Sequence, residues 1–380
     1  MAYGLGKNSP VTLALGKESY EAMIERHGQY VRWRVAKKCP CVSTGNQPDI
    51  HCKKCGGSGE LYSYQKKYTD NVRLSVFDGL IELPEDIADC VIKSIYNYAG
   101  VLFEFKKEDR FIQLQDKEHT LTQGETVDII FEQELVCILK ETKAERICKG
   151  FYRIPDLRMP KSTIEGVYYS PCCDILKIEN LKSEDGADVE ILNYYKDCIE
   201  VLSEEDYPYL IAKNIEYIKP VKFIVLSQNL NKENLALIQK HNGDAVCTFP
   251  YKFDVSEGDI ITIISGTMTN KVIVKRGRET ADDIIPEFFV DSIDLIETKT
   301  SVFKEGEDFI LIGTNRIHWL GAAKPEANES MSITYRYNPT YRVCQNIPSL
   351  RTSEDQRIPR KVVLKLFASY QNARRVHTNG

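Results

Sequence analysis

Two close pairs of cysteines dominate the chemistry this sequence can do. They read Cys39-Pro40-Cys41, then ten residues, then Cys52-Lys53-Lys54-Cys55, followed by Gly56-Gly57-Ser58-Gly59. Four thiolates so spaced can surround one Zn2+ tetrahedrally at ~2.3 Å each, which makes Cys39, Cys41, Cys52 and Cys55 the predicted ligands. Gly56, Gly57 and Gly59 let the backbone turn back and aim its amides at the sulfurs. Gly45, Pro48 and Asp49 supply the turn between the two knuckles. A ribbon of this kind has almost no apolar core, so the metal would supply most of its folding free energy. The first pair is C-x-C rather than C-x2-C. Either that knuckle is tighter than usual, or His51 replaces a cysteine. The other use of two close pairs is a redox couple or a disulfide. A centre closed by four thiolates is structural, because it leaves no position for a reactive water.

The remaining chemistry is sparse. The other eight cysteines are scattered, and the adjacent Cys172 and Cys173 would point to opposite sides of a strand. Twelve cysteines in 380 residues are too few for a disulfide scaffold, so most are expected as reduced, buried thiols. His27, His119, His241, His318 and His377 have no metal-like spacing and read as surface or internally satisfied side chains. Gly6-Lys7-Asn8 and Gly16-Lys17-Glu18 lack the Ser or Thr and the upstream glycine of a phosphate loop. HExxH, GxSxG and calcium-loop patterns are absent. The expectation is a protein without catalytic turnover.

The elements that must position the cysteines are mostly strands. Lys17 to His27 places Tyr20, Met23 and Ile24 at helical spacing, with Gly28 as a stop. Val31-Arg32-Trp33-Arg34-Val35 alternates apolar and basic, which predicts a strand with one wet face. Beyond residue 70, short β-branched and aromatic runs recur between turn residues. Examples are 73–77, 101–105, 111–114, 127–131, 136–139, 175–178, 199–202, 215–218, 222–226, 259–264, 271–275, 309–312 and 332–337. Asp86 to Tyr98 and Asn231 to His241 are the helix candidates there. The predicted fold is mainly β: an N-terminal zinc ribbon followed by several β-sandwich or small-barrel modules, with few short helices.

A weak repeat runs through this body. Ser94-Ile95-Tyr96, Ile112-Gln113-Leu114 and Val127-Asp128-Ile129 parallel Ser292-Ile293-Asp294, Ile317-His318-Trp319 and Ser332-Ile333-Thr334. Residues 175–217 follow the scheme loosely, with Ile199-Glu200-Val201 in the middle. The implied unit is ~60–70 residues, used two or three times. The domain reading is an N-terminal arm with a short helix (1–34), the zinc ribbon (35–68) and β modules at 70–150 and 151–228. A small barrel-like module (229–284), a sandwich-like module (285–346) and a C-terminal arm (347–380) follow. Val255 to Asp259 launches the strand pair of the small barrel, and Pro339, Pro348 and Pro359 punctuate the arm. Lys361 to Phe367 is a last strand, and 373–380 is expected to fray.

Composition sets the outer bounds. The chain is 42% apolar and 28% charged, an ordinary globular mixture. Its longest apolar runs, such as Ile260 to Ile264, fall far short of the ~18 residues that span a bilayer. Residues 1–10 lack the apolar stretch of a signal peptide, so synthesis in a cytoplasm is expected, without a membrane partner. Fifty Lys and Arg against 55 Asp and Glu give a net charge of −5, which argues against a protein coated throughout for nucleic acid. The charge is uneven: residues 1–75 carry +6, residues 351–380 carry +5 and the rest −16. Basic ends and an acidic body suit head-to-tail contact between copies.

The stretch Val31 to Tyr62 carries a resemblance. Trp33-Arg34 just before the CPC, then Gly45-x-x-Pro48-Asp49, then the glycine-rich second pair and an aromatic, resembles the N-terminal zinc ribbon of tailed-bacteriophage virion proteins encoded near head and tail genes. Phe303 to Tyr341 is similar in character to β modules of phage structural proteins. The resemblance implies a virion subunit made in a bacterial host, forming a homo-oligomeric ring at the head–tail junction, in the neck or collar. Its zinc would be structural. Its partners would be its own copies and other head, neck or tail proteins, with no specific nucleic acid and an acidic lumen that DNA could traverse. A tail-tip or baseplate protein is the neighbouring reading. The rival from another class is a cytoplasmic zinc-ribbon nucleic-acid-binding protein. There Arg32, Trp33, Arg34, Lys37, Lys38, Lys53 and Lys54 would grip phosphates and stack on a base.

Overall fold

The computed structural model describes residues 17–42, 47–55, 57–115, 121, 123–160, 169–171, 174–194, 197–202, 205–227, 245–277, 282–287, 289–313, 315–321, 323–347 and 359–367. The helix candidate Asn231–His241, Cys172, Cys173 and both chain ends lie outside these residues. Among them the protein is mainly β, with one α-helix at Lys17–His27.

A central barrel gathers strands from distant parts of the chain. Gln29–Lys38, Val221–Ser227, Ala245–Phe249, Ile260–Ile263, Thr340–Ile347 and Arg360–Leu366 lie in one sheet, and Gln29–Lys38 closes it by pairing on both Val221–Ser227 and Ile260–Ile263. Alternate residues point inward, as the two-residue strand period requires. Val31, Trp33, Phe223, Val225, Cys247, Phe249, Ile261, Ile263, Val362 and Leu364 form one buried core. Glu60–Tyr64 pairs with the far half of Gln29–Lys38, and this hairpin carries the cysteines at its tip.

Three inserts leave the barrel, at 67–134, 136–218 and 268–337. Each has six principal strands, here counted in chain order within the insert. In the first they are Lys67–Ser75, Leu80–Glu82, Val91–Asn97, Glu104–Glu108, Phe111–Gln115 and Thr126–Glu134. The last strand pairs with the first and the third, and the fifth pairs with the second and the fourth. The second insert repeats this order with Val136–Cys148, Phe151–Arg153, Asp174–Ser183, Glu190–Tyr194, Cys198–Leu202 and Tyr209–Ile218. The third repeats it with Met268–Lys275, Asp283–Ile284, Val290–Glu297, Phe309–Ile312, Arg316–Trp319 and Ser330–Tyr337. The third strand is bulged in all three, at Ile92/Ser94, Ile175/Lys177 and Val290/Ser292. Each insert has its own buried core. The weak repeat read in the sequence, used two or three times, corresponds to a topology that occurs three times, and its aligned segments fall on equivalent strands.

Several expectations are corrected. Asp86 to Tyr98 is not a helix: a 3-10 turn at Glu85–Ile87 leads into the strand Val91–Asn97, whose β-branched Val91, Ile92 and Ile95 suit a sheet with Ile95 fully buried. The strand through Val31 to Val35 has no wet face, because Arg32 and Arg34 are buried beneath the inserts. The small barrel expected at 229–284 is split: its Ala245–Phe249 and Ile260–Ile263 join the central barrel, and its Met268–Lys275 opens the third insert. The arm 347–380 and the N-terminal arm 1–34 both supply central barrel strands. The boundaries at 70, 150, 228 and 285 fall elsewhere for one reason. Four of the six barrel pairings join strands ~80–230 residues apart, and local sequence character does not record such closure.

Candidate metal centre

The hairpin strands Gln29–Lys38 and Glu60–Tyr64 act as the stalk of a finger spanning 39–59. Cys39 N–H donates to the Gly59 carbonyl at 2.8 Å, which closes its base. Val42 N–H returns to the Cys39 carbonyl at 2.9 Å and Ser58 N–H to the Cys55 carbonyl at 3.2 Å, one tight turn per cysteine pair. Gly57 and Gly59 have φ of +86° and +76°. A Cβ on Gly57 would stand 2.7 Å from the Ile50 carbonyl oxygen, and one on Gly59 2.9 Å from Pro48 Cβ. Only glycine fits both the dihedral and the space.

These turns bring together the four predicted cysteines. All four sulfurs lie within 4.8 Å of one another. Cys39 and Cys52 are 3.8 Å apart, and Cys41 and Cys55 3.5 Å. A tetrahedron with ~2.3 Å metal–sulfur bonds has edges of ~3.8 Å, so the cluster could hold one metal ion with little adjustment. The tight C-x-C knuckle needs no histidine: the group consists of the four cysteines, and His51 is exposed, its N–H on Asp49 Oδ1 at 2.9 Å.

The thiols are electrostatically unequal. Burial opposes ionisation of Cys55, but the Gly59 amide, the Cys41 thiol, the Gly57 amide and the Cys52 thiol outweigh it and hold its pKa at about 6. Gly59 N–H lies 3.3 Å from that sulfur. Desolvation and the neighbouring sulfurs push Cys41 up to about 12. Lys37, Lys38, Lys53 and Lys54 are exposed around the cluster, a positive rim that offsets the charge of four thiolates.

The basic-aromatic patch is not assembled. Trp33 is buried in the barrel, and its Nε1–H donates to Asp259 Oδ2 at 2.8 Å. Arg32 pairs with Asp174 of the second insert at 2.9 Å. Arg32 and Arg34 both stack on Phe289 of the third, at 5.8 and 5.1 Å. These side chains lock the inserts to the barrel instead of meeting a base. Only the four lysines remain exposed.

Of the other cysteines among the described residues, Cys90, Cys198 and Cys247 are buried and Cys137, Cys148 and Cys344 half-buried. Burial raises the pKa of Cys198 and Cys247, and that of Cys148 to about 11. His318 is satisfied by Asp282 at 2.9 Å and stacks on Phe151. Sequence reasoning missed Asp259 and Asp174, the two carboxylates that anchor the stalk strand. No signal marks them, since their partners lie 226 and 142 residues away. The chain matches no family model and no curated protein.

Proposed function

We propose that this chain is a structural subunit that assembles with copies of itself, and that its cysteine finger holds one structural Zn2+. Four thiolates in tetrahedral array suit zinc or iron, and a closed set has no position for a substrate water. The observation that carries the assembly reading is the division of charge along the architecture. The three inserts together hold 27 Lys and Arg against 43 Asp and Glu, a net −16, and the rest of the chain a net +11. A basic barrel and finger and acidic inserts on one subunit favour contact between unlike parts of neighbouring copies. Such heterologous contact closes rings. The resemblance of Val31 to Tyr62 to phage virion ribbons supports a ring at a head–tail neck or collar.

The test is the native mass of the metal-loaded protein at low and high salt, together with metal analysis. Multimers that dissociate as salt screens exposed charges, and one zinc per chain, are expected. A strictly monomeric chain at every salt and concentration overturns the assembly reading. Iron in place of zinc overturns the metal assignment. Absence from purified particles overturns the virion placement alone.

A further inference from the structure

The first insert is the most acidic of the three, and one of its sheet faces is open. It holds 7 Lys and Arg against 15 Asp and Glu, half of the net −16 of the inserts. Its strands Leu80–Glu82, Phe111–Gln115 and Glu104–Glu108 form one sheet in that order. Ile81, Ile112 and Leu114 belong to the core, so Leu80, Glu82, Phe111 and Glu108 face out. The registers set Phe111 opposite Glu82 on one side and Glu108 on the other. Leu80 and Phe111 are 45% and 46% exposed. The Leu83 N–H donates to the Arg110 carbonyl at 2.8 Å, with the exposed Glu85 and Asp109 one or two residues away in the chain. An apolar centre between carboxylates does not suit a second face of its own kind, which would set glutamate against glutamate. It suits a surface with an apolar centre and a basic rim.

The cysteine finger is such a surface. Cys52 N–H closes a turn on the Asp49 carbonyl at 3.0 Å, and Ile50 at the apex of that turn is 69% exposed. Lys53 and Lys54 follow it, and Lys37 and Lys38 stand at the base of the finger, all four exposed. These lysines outnumber the charge that four thiolates leave on a bound dication. Gly57 lies against the Ile50 backbone, so the turn that carries Cys55 also holds the apex in place.

We propose that the finger of one copy docks on this sheet face of the first insert in the next copy, with Ile50 against Phe111 and Leu80 and the finger lysines among Glu82, Glu108 and Asp109. Both surfaces are exposed within one chain, so they are open to meet between chains. An apolar centre with a charged rim is the anatomy of such interfaces. Arg110 and Lys106 already pair with Glu82 and Glu108, but exposed pairs of this kind contribute little. Residues 78–111 as a whole hold eight acidic side chains against four basic ones, so the face keeps an excess of negative charge. Every copy presents one finger and one such face, which makes the contact heterologous and repeats it from copy to copy. The inference rests on the self-assembly reading and names the two surfaces that meet. It also gives the metal a part in assembly, because the metal would hold the apex and the lysines in one shape.

The test is a charge swap, read by the native mass of the full metal-loaded chain at low salt. The variants E82K/E108K and K53E/K54E each set like charges against like. Each should need a protein concentration roughly tenfold or more higher to assemble, with circular dichroism and metal content unchanged. Mixed in equal amounts, the two should recover wild-type assembly, because each supplies the surface that the other lacks. Multimers that both variants retain, or a mixture that assembles no better than its components, overturn this inference and leave the self-assembly reading standing. A wild-type chain that stays monomeric overturns that reading and this inference with it. A photoreactive residue at position 50 gives a reading independent of the charge variants and their folding. Cross-links to 77–115 of a second copy support the docking; cross-links elsewhere, or none, overturn it.

Discussion

Asp259 accepts three N–H groups at once: the Trp33 indole at 2.8 Å, the Ala36 amide at 2.9 Å and the Ser256 amide at 3.0 Å. Burial raises its carboxyl above the ordinary value, against the pull of these donors. Because the native pKa is raised, the group favours the fold more as pH falls toward the unfolded value and less as pH rises past the native one. Asp259→Asn presents an amide donor to at least one of the three donors. It should cost about 1–3 kcal/mol, the penalty of a buried unsatisfied group. A urea midpoint unchanged from wild type refutes this. In the finger, metal binding must deprotonate thiols, Cys41 above all. Acidification below about 6 protonates even Cys55. Metal release measured with a chromogenic chelator should therefore steepen as pH falls through that value, and Cys52→Ser should abolish stoichiometric loading at pH 7.

At the scale of elements, the finger and the barrel should fail separately. Ile50 is 69% exposed at the finger tip, so little apolar burial holds it without metal. Chelation should open protease sites between 39 and 59 while the fluorescence of buried Trp33 persists; loss of both together would mean the finger supports the barrel. Gly59→Ala should mimic chelation, since its Cβ would meet both Pro48 and Val42. These features show what sequence reveals. The cysteine spacing, the glycine pattern and the Lys17–His27 helix are local, and they were legible because neighbours in sequence make the structure. The repeat was legible through strand character alone. The barrel was not, because Val31 meets Val221 on one side and Ile263 on the other. The burial of Arg32 and Arg34 was hidden for the same reason: alternation marks two faces, and only the inserts decide whether the second is wet.

At the scale of the whole molecule, charge follows architecture. The sequence segregates it into basic ends and an acidic middle, and the fold joins one strand from each end with four strands of the middle into the barrel, while the acidic remainder of the middle forms the inserts that hang from it. Replacing Lys37, Lys38, Lys53 and Lys54 with Gln should weaken low-salt assembly and flatten its salt dependence, as read by native mass, without changing thermal stability. Arg360 is a poorer target than its position suggests, because it already pairs with Asp254 at 2.9 Å within the chain. An unaltered salt profile in the lysine variant would remove the finger from the charged contact.

The way each insert is hung has a mechanical consequence. Lys67 lies opposite Glu134, Val136 opposite Ile218 and Met268 opposite Tyr337, so every insert begins and ends across one rung of its own ladder. Tension applied to the two ends of the chain passes between Gln29–Lys38 and Arg360–Leu366 through the hydrogen bonds of the barrel and leaves the inserts unloaded. Once the barrel yields, each insert is pulled at adjacent strand ends and unzips one rung at a time. The inserts are then slack held in reserve, paid out in steps after the stiff element has given way.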